Sequence, residues 1–204
     1  MNRRAIAVAV CSVLALGGGV VAQRAPASRA GAGAQDFLLA RSRAGKIEIG
    51  DTVDQIYERF GRQNVRLTDL FSEGMFTPAL QVSIPGAARQ PSLVVIVSEW
   101  PCMRWAASTV DVRDRRFRTE EDIGIGSTFK QILDSYPQAQ KPTWGEGHAI
   151  VMVKALKLAF VLATEEIPPP ATAAVVSVTV YGDPEEVRQE KCPQLGPIKQ
   201  PVPD

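Results

Sequence analysis

Histidine is almost missing from this chain: its 204 residues include one, His148. No His-x-x-His, Glu-x-x-His or Cys-x-x-Cys spacing occurs, which excludes a histidine-rich metal site. No Gly-x-Ser-x-Gly elbow is present, so the common nucleophilic-serine turn is missing, although a triad assembled in space around His148 is not ruled out by spacing alone. Gly124-x-Gly126 starts like a dinucleotide fingerprint, but Phe129 stands at the third glycine position and no P-loop lysine follows. This Gly-rich stretch reads as a structural turn. Charge of either sign is also lacking in excess: 23 basic residues face 22 acidic ones, and no global basic field recruits nucleic acid. Nothing here calls for a cofactor.

Only one long hydrophobic run exists. Arg3 and Arg4 precede an uncharged apolar stretch from Ala5 through Ala22, ending in small residues at Val20-x-Ala22. These are the three zones of a signal peptide over residues 1–22. An uncleaved membrane anchor is the competing reading, weakened by Gly17, Gly18 and Gly19 within the run. Cleavage leaves 21 basic against 22 acidic residues and two of the three cysteines, Cys102 and Cys192. In an exported chain the pair is expected as one disulfide, the alternative being two free buried thiols. The predicted location is periplasmic or secreted.

What the chain has in plenty is a motif written twice. Ile47 to Gly61 reads IEIGDTVDQIYERFG and Ile123 to Pro137 reads IGIGSTFKQILDSYP, with identities at the same spacing 76 residues on. Each copy runs a short alternation into glycine and then Thr-x-x-Gln, the signature of a capping box. Val53, Ile56, Tyr57 and Phe60, and in the second copy Phe129, Ile132, Leu133 and Tyr136, fall on one helical stripe. The expected fold is α+β: two duplicated units, each a short helix on an antiparallel sheet.

The units are placed at 37–118 and 119–183, after a flexible linker at 23–36 that is rich in Ala, Gly and Arg. In the first, strands are predicted over 64–71, 79–84, 93–97 and 106–114, with the solid LVVIV run most central. In the second, a loop through Pro142 and Trp144 leads to strands at 148–153, 158–163 and 175–181. Glu73-Gly74 and Glu146-Gly147 mark matching turns. Residues 184–204 contain several prolines and little period, and are expected as an irregular tail held by Cys192.

Two segments are candidates for contact with a partner. Trp100, Pro101, Cys102, Met103, Arg104 and Trp105 form the densest aromatic stretch, the residue types that anchor binding surfaces. These rings either face a partner or pack over the disulfide and the tail. Arg115, Arg116 and Arg118 surround Phe117 and would suit a carboxylate or phosphate, but Glu120, Glu121 and Asp122 follow at once, and self-compensating surface charge is the favoured reading.

Gly50-Asp51-Thr52 with Phe60-Gly61, Gly126-Ser127-Thr128 with Tyr136-Pro137, and the two Glu-Gly pairs resemble exported bacterial proteins of unknown function. More distantly, the pattern is similar to the tandem α+β repeat of beta-lactamase inhibitory proteins and of BamE outer-membrane assembly lipoproteins. The chain lacks the lipid-anchor cysteine of the latter. The resemblance implies a binding or inhibitory module with no catalytic residues. Together these readings predict a non-enzymatic protein-binding module of the cell envelope, its partner an envelope or extracellular protein. An envelope hydrolase or sugar-processing enzyme and a carrier of a small apolar ligand are the alternatives.

Overall fold

The Thr-x-x-Gln segments fold as their chemistry dictates. In a computed structural model, which describes residues 35–72, 74–87, 91–99 and 101–195, the Thr52 hydroxyl accepts from the Gln55 amide at 3.3 Å while the Thr52 amide donates to Gln55 Oε1 at 2.8 Å. Thr128 and Gln131 repeat both bonds at the same distances. One residue earlier, Asp51 Oδ2 accepts from the Glu48 amide at 2.8 Å and Ser127 Oγ from the Gly124 amide at 3.1 Å. Each helix thus starts from a turn closed by a side chain and then by a cap. The proposed leader at 1–22 and nearly all of the linker at 23–36 lie outside the described residues.

In chain order, three two-residue strands, β1 (Leu39–Ala40), β2 (Arg43–Ala44) and β3 (Ile47–Glu48), form a small antiparallel sheet. Helix α1 (Val53–Phe60) follows, then β4 (Val65–Ser72), β5 (Met75–Val82), β6 (Leu93–Ser98) and β7 (Ala106–Val112). Helix α2 (Phe129–Ser135) precedes β8 (Thr143–Gly145), β9 (His148–Val153), β10 (Leu158–Leu162) and β11 (Val175–Tyr181), and α3 (Pro184–Lys191) follows, with a 3-10 turn at Pro193–Leu195. The eight longer strands make one antiparallel sheet in the order β4-β5-β6-β7-β11-β10-β9-β8.

Each helix therefore leads into four consecutive strands, and the two sets meet where β7 pairs β11, with Asp111 opposite Thr179. The helix entries dock on these central strands through corresponding bonds. The Gly50 amide donates to Ala107 O and the Gly126 amide to Val175 O, both at 2.8 Å. The return bonds run from the Ala107 amide to Asp51 O and from the Val175 amide to Ser127 O, again at 2.8 Å. Each central strand also carries a bulge, which skips Ser108 in β7 and Val176 in β11.

One face of the sheet is covered. Ile56 from α1, Phe129, Ile132 and Tyr136 from α2, and Val187 from α3 join Leu80, Val95, Val110, Val151, Phe160 and Val178 in a single core cluster. Ile56 and Ile132 are completely buried, each worth about 1.5–3 kcal/mol against exposure. The predicted helical stripes hold except at Leu133, which is exposed.

Four expectations are corrected. The apolar β6 is not the middle of the sheet; β7 and β11 are, and their polar alternation reflects an uncovered reverse face rather than an edge position. The Trp144 segment is a strand, β8, not a loop, and Ile123–Ile125 makes no strand, only a single bridge at Gly124 to Arg118. The tail is not irregular at its start: Asp183 caps α3 by accepting from the Glu185 and Glu186 amides, and Pro184 fills the first position, where no amide is needed. Cys102 and Cys192 are joined as a disulfide, their Cα atoms 5.8 Å apart.

Candidate interaction surface

The basic segment expected to face a partner is mostly spent internally. Phe117 is buried, its ring edge-on to Phe37 with centroids 5.2 Å apart, and so is not a contact residue. Arg116 lies over the Phe37 ring at 4.3 Å, grips the buried Asp114 carboxylate with its Nη2 at 2.7 Å, and donates to Pro85 O. Burial opposes the charge on Asp114, yet the bonds from the Arg116 side chain and amide outweigh it and hold the carboxyl below its ordinary range. Arg118 donates to Arg115 O, Asp122 O, Ser127 Oγ and Ile125 O, clamping the turn before α2. Only Arg115 among these has an exposed side chain.

The same turn is locked from the other side. Tyr136 Oη donates to Glu121 Oε2 and accepts from the Thr119 hydroxyl, and burial with the neighbouring Glu121 carboxylate pushes the phenol well above its usual range.

The aromatic segment divides. Cys102 and Pro101 are buried beneath α3, where Arg188 donates to Pro101 O and Arg104 to Lys191 O. Met103, Arg104 and Trp105 project to solvent, while Trp100 lies outside the described residues. Trp105 O accepts from the Val53 amide, fixing this loop against the start of α1.

A larger apolar surface adjoins it. β4 pairs β5 out to Ser72 opposite Met75, and this hairpin continues past the rest of the sheet because β6 pairs with β5 only as far as Ala79 opposite Ile96. Pro78 explains the stop. Even-numbered residues of β5 turn their backbone towards β6, as the Ser92 amide to Val82 O bond shows, and Pro78 brings no N–H to the next rung. The overhanging arm carries Phe71, Met75 and Phe76, and the Phe71 and Phe76 rings face each other across the strands at 5.0 Å; Leu67, opposite Leu80, lies further back on the same hairpin, where β5 still pairs β6.

Because β4 and β6 run in the same direction, the arm's tip and the 99–105 loop that follows β6 lie at one end of the sheet. Leu67, Phe71, Met75, Phe76, Met103 and Trp105 are between 48 and 74% exposed. Among the described residues the other large exposed apolar side chains, such as Trp144, Ile167 and Leu195, are scattered over the second half and the C-terminal segment. This apolar concentration is the candidate contact surface. Sequence reasoning singled out Trp105 and passed over the arm, although a Glu-Gly two-residue turn already requires the return strand to begin at Met75.

Other sites offer less. Open depressions of about 320 and 330 Å³ are lined chiefly by polar and charged residues, Gln63, Asn64, Arg66 and Gln81 in one and Asp36, Arg43, Lys46 and Arg59 in the other. On the uncovered sheet face, burial raises the Asp111 carboxyl although Arg113 Nε donates to it at 2.9 Å. Among the described residues no group of three or more His, Cys, Asp or Glu side chains is arranged to hold a metal, and no helix is long and apolar enough to cross a membrane.

No protein-family model and no curated protein matches this chain. Among solved structures, it is similar to one described as the uncharacterized protein yfeY from Escherichia coli, at 12% identity and a TM-score of 0.45, covering 67% of this chain and 97% of that one.

Proposed function

We propose that this chain is an exported, non-enzymatic protein-binding or inhibitory module of the cell envelope, built from two duplicated helix-plus-sheet halves. The observation that carries the reading is that Phe71, Met75 and Phe76 on the hairpin and Met103 and Trp105 on the loop, all large, apolar and exposed, lie at one end of the sheet, the loop being held by the disulfide and by α1. A soluble domain gains nothing from such a patch unless something covers it. The Cys102–Cys192 disulfide suits an oxidising compartment, which supports export together with the leader-like residues 1–22. Duplication is supported by the matching caps, the matching bonds to β7 and β11, and the bulge present in both. The beta-lactamase inhibitory proteins and BamE lipoproteins, which the motif resembles, add to the same reading.

The test is photo-crosslinking in envelope extract with residues 23–204, the probe placed at Phe71 or Trp105 and, as a control, at Trp144. A discrete protein adduct is expected from the first two positions and lost with Phe76→Ser. Equal adducts from all three positions, or none, would refute the assignment of this surface.

A further inference from the structure

The outer edge of β4 is unpaired among the described residues, and it is long, whereas the opposite edge strand β8 has three residues. The Ser83 amide to Asn64 O bond fixes the phase of the hairpin: even-numbered residues of β4 bond to β5, and Leu67, Asp69 and Phe71 turn their N–H and C=O outward, while the Val65 amide is taken by Arg62 O. Edge strands are usually blunted by proline, lysine, a bulge or short length. β4 has none of these over eight residues. On the face that carries Leu67 and Phe71 the one charge is Asp69, which stands between them and has no ion-pair partner among the described residues; Arg66, the strand's other charge, lies on the opposite face.

The geometry points to a β-augmentation site: an extended segment of a partner protein adds as a ninth strand along β4, with a lysine or arginine opposite Asp69 and apolar residues two positions to either side. This rests on the protein-binding reading above and specifies its partner. An outward row of amides and carbonyls is satisfied by another extended backbone. Charge chooses among occupants. A second copy meeting β4 antiparallel puts Leu67 opposite Phe71 only in the register where Asp69 faces Asp69, and like charges directly opposite are destabilising. The chain's own outlying segments also fit poorly. QRAPASRAGAGA and GPIKQPVPD carry no alternating apolar run, and the leader has no cation between Arg4 and Gln23.

Two substitutions isolate the edge. Leu67→Pro removes one outward N–H and no bond to β5, a position where edge strands accept proline. Asp69→Lys reverses the central charge. The probes are nine-residue peptides with valine at odd positions and threonine at even ones, one with a central lysine and one with a central glutamate, alongside a scrambled control. In fluorescence anisotropy the folded chain is expected to bind the lysine peptide about five- to tenfold more tightly than the glutamate peptide, as one cross-strand pair turned from attractive to repulsive allows. Asp69→Lys inverts that order, Leu67→Pro abolishes both complexes, and the amides of Leu67, Asp69 and Phe71 gain exchange protection with the lysine peptide. Binding no stronger than the scrambled control, or a preference unmoved by Asp69→Lys, overturns the proposal. So does self-association, or adsorption to zwitterionic vesicles, that competes with the peptide and is lost in Leu67→Pro. If the peptides fail while the crosslink at Phe71 or Trp105 persists, edge pairing falls and the protein-binding reading stands. If both fail, both fall.

Discussion

Gly50 and Gly126 occupy the same place in the two motifs, with φ of +90° and +91°, yet their surroundings differ. A Cβ on Gly50 would stand 2.9 Å from Val187 Cγ1 and 3.0 Å from Lys191 Cγ, because α3 lies across the turn, whereas a Cβ on Gly126 meets nothing within 4 Å. Alanine at either position carries the positive-φ penalty, about 1–2 kcal/mol. At Gly50 it must also push against α3, and overpacking of this kind adds about 1–3 kcal/mol. Gly126→Ala is therefore expected to lose about 1–2 kcal/mol and Gly50→Ala about 2–5, measured as shifts in urea midpoint at constant slope. The excess in Gly50→Ala has a place: amide exchange in Val187 to Lys191 should accelerate, with Cys192 keeping the helix tethered. Equal losses at the two glycines, or unchanged exchange in α3, would refute the account of α3 as a lid on the first turn.

The capping boxes predict that Thr52→Ala and Thr128→Ala each lose about 1 kcal/mol in denaturant melts and that Thr→Ser loses far less; equal losses for Ala and Ser would assign the effect to the buried methyl group. Asp114 has its carboxyl held below the unfolded value, so its contribution is complete above about pH 3.9 and disappears as pH falls through the folded pKa. Asp114→Asn should flatten that acid limb of a stability-against-pH curve, and an unaltered limb would speak against the Arg116 pairing. The Cys102–Cys192 bond closes a sequence separation of 90 residues, worth at most about 4–5 kcal/mol in denatured-state entropy. Peptide mapping without reductant should recover the two cysteine peptides linked, and reduction should expose α3 to protease before the sheet; two alkylatable thiols in the unreduced, unfolded chain would count against the bridge.

Local chemistry was the legible part. Thr52 with Gln55 and Thr128 with Gln131 sit three residues apart and form their bonds within one turn of helix, so the pattern carries its own structure. α3 was equally signalled, by Asp183, Pro184 and two glutamates in the first turn, but Val187 is its only buried residue and one apolar side chain makes no stripe. β8 was hidden by length, three residues being too few for any period. The arm was hidden by Pro78, which argues against a strand wherever both neighbours need its N–H and is harmless where the sheet has already stopped. Phe117 shows the opposite failure: the three arginines around it made a buried ring look exposed, and the distant Phe37 explains its burial.

The position of α3 has a consequence for how the molecule is made. A polypeptide leaves the ribosome N-terminus first, so the turn at Gly50 emerges about 140 residues before Val187 and Lys191, which cover it. The strand β7 emerges about 70 residues before β11, its neighbour across the middle of the sheet. The first half has no finished state of its own during that interval. Its inner edge stays open until β11 arrives, and its opening turn until α3 does with the Lys191 to Glu48 ion pair at 2.9 Å and the bond from Cys192 to Cys102. A polypeptide cut before Asp183 would therefore carry every strand of the sheet and still leave the turn at Gly50 uncovered by α3.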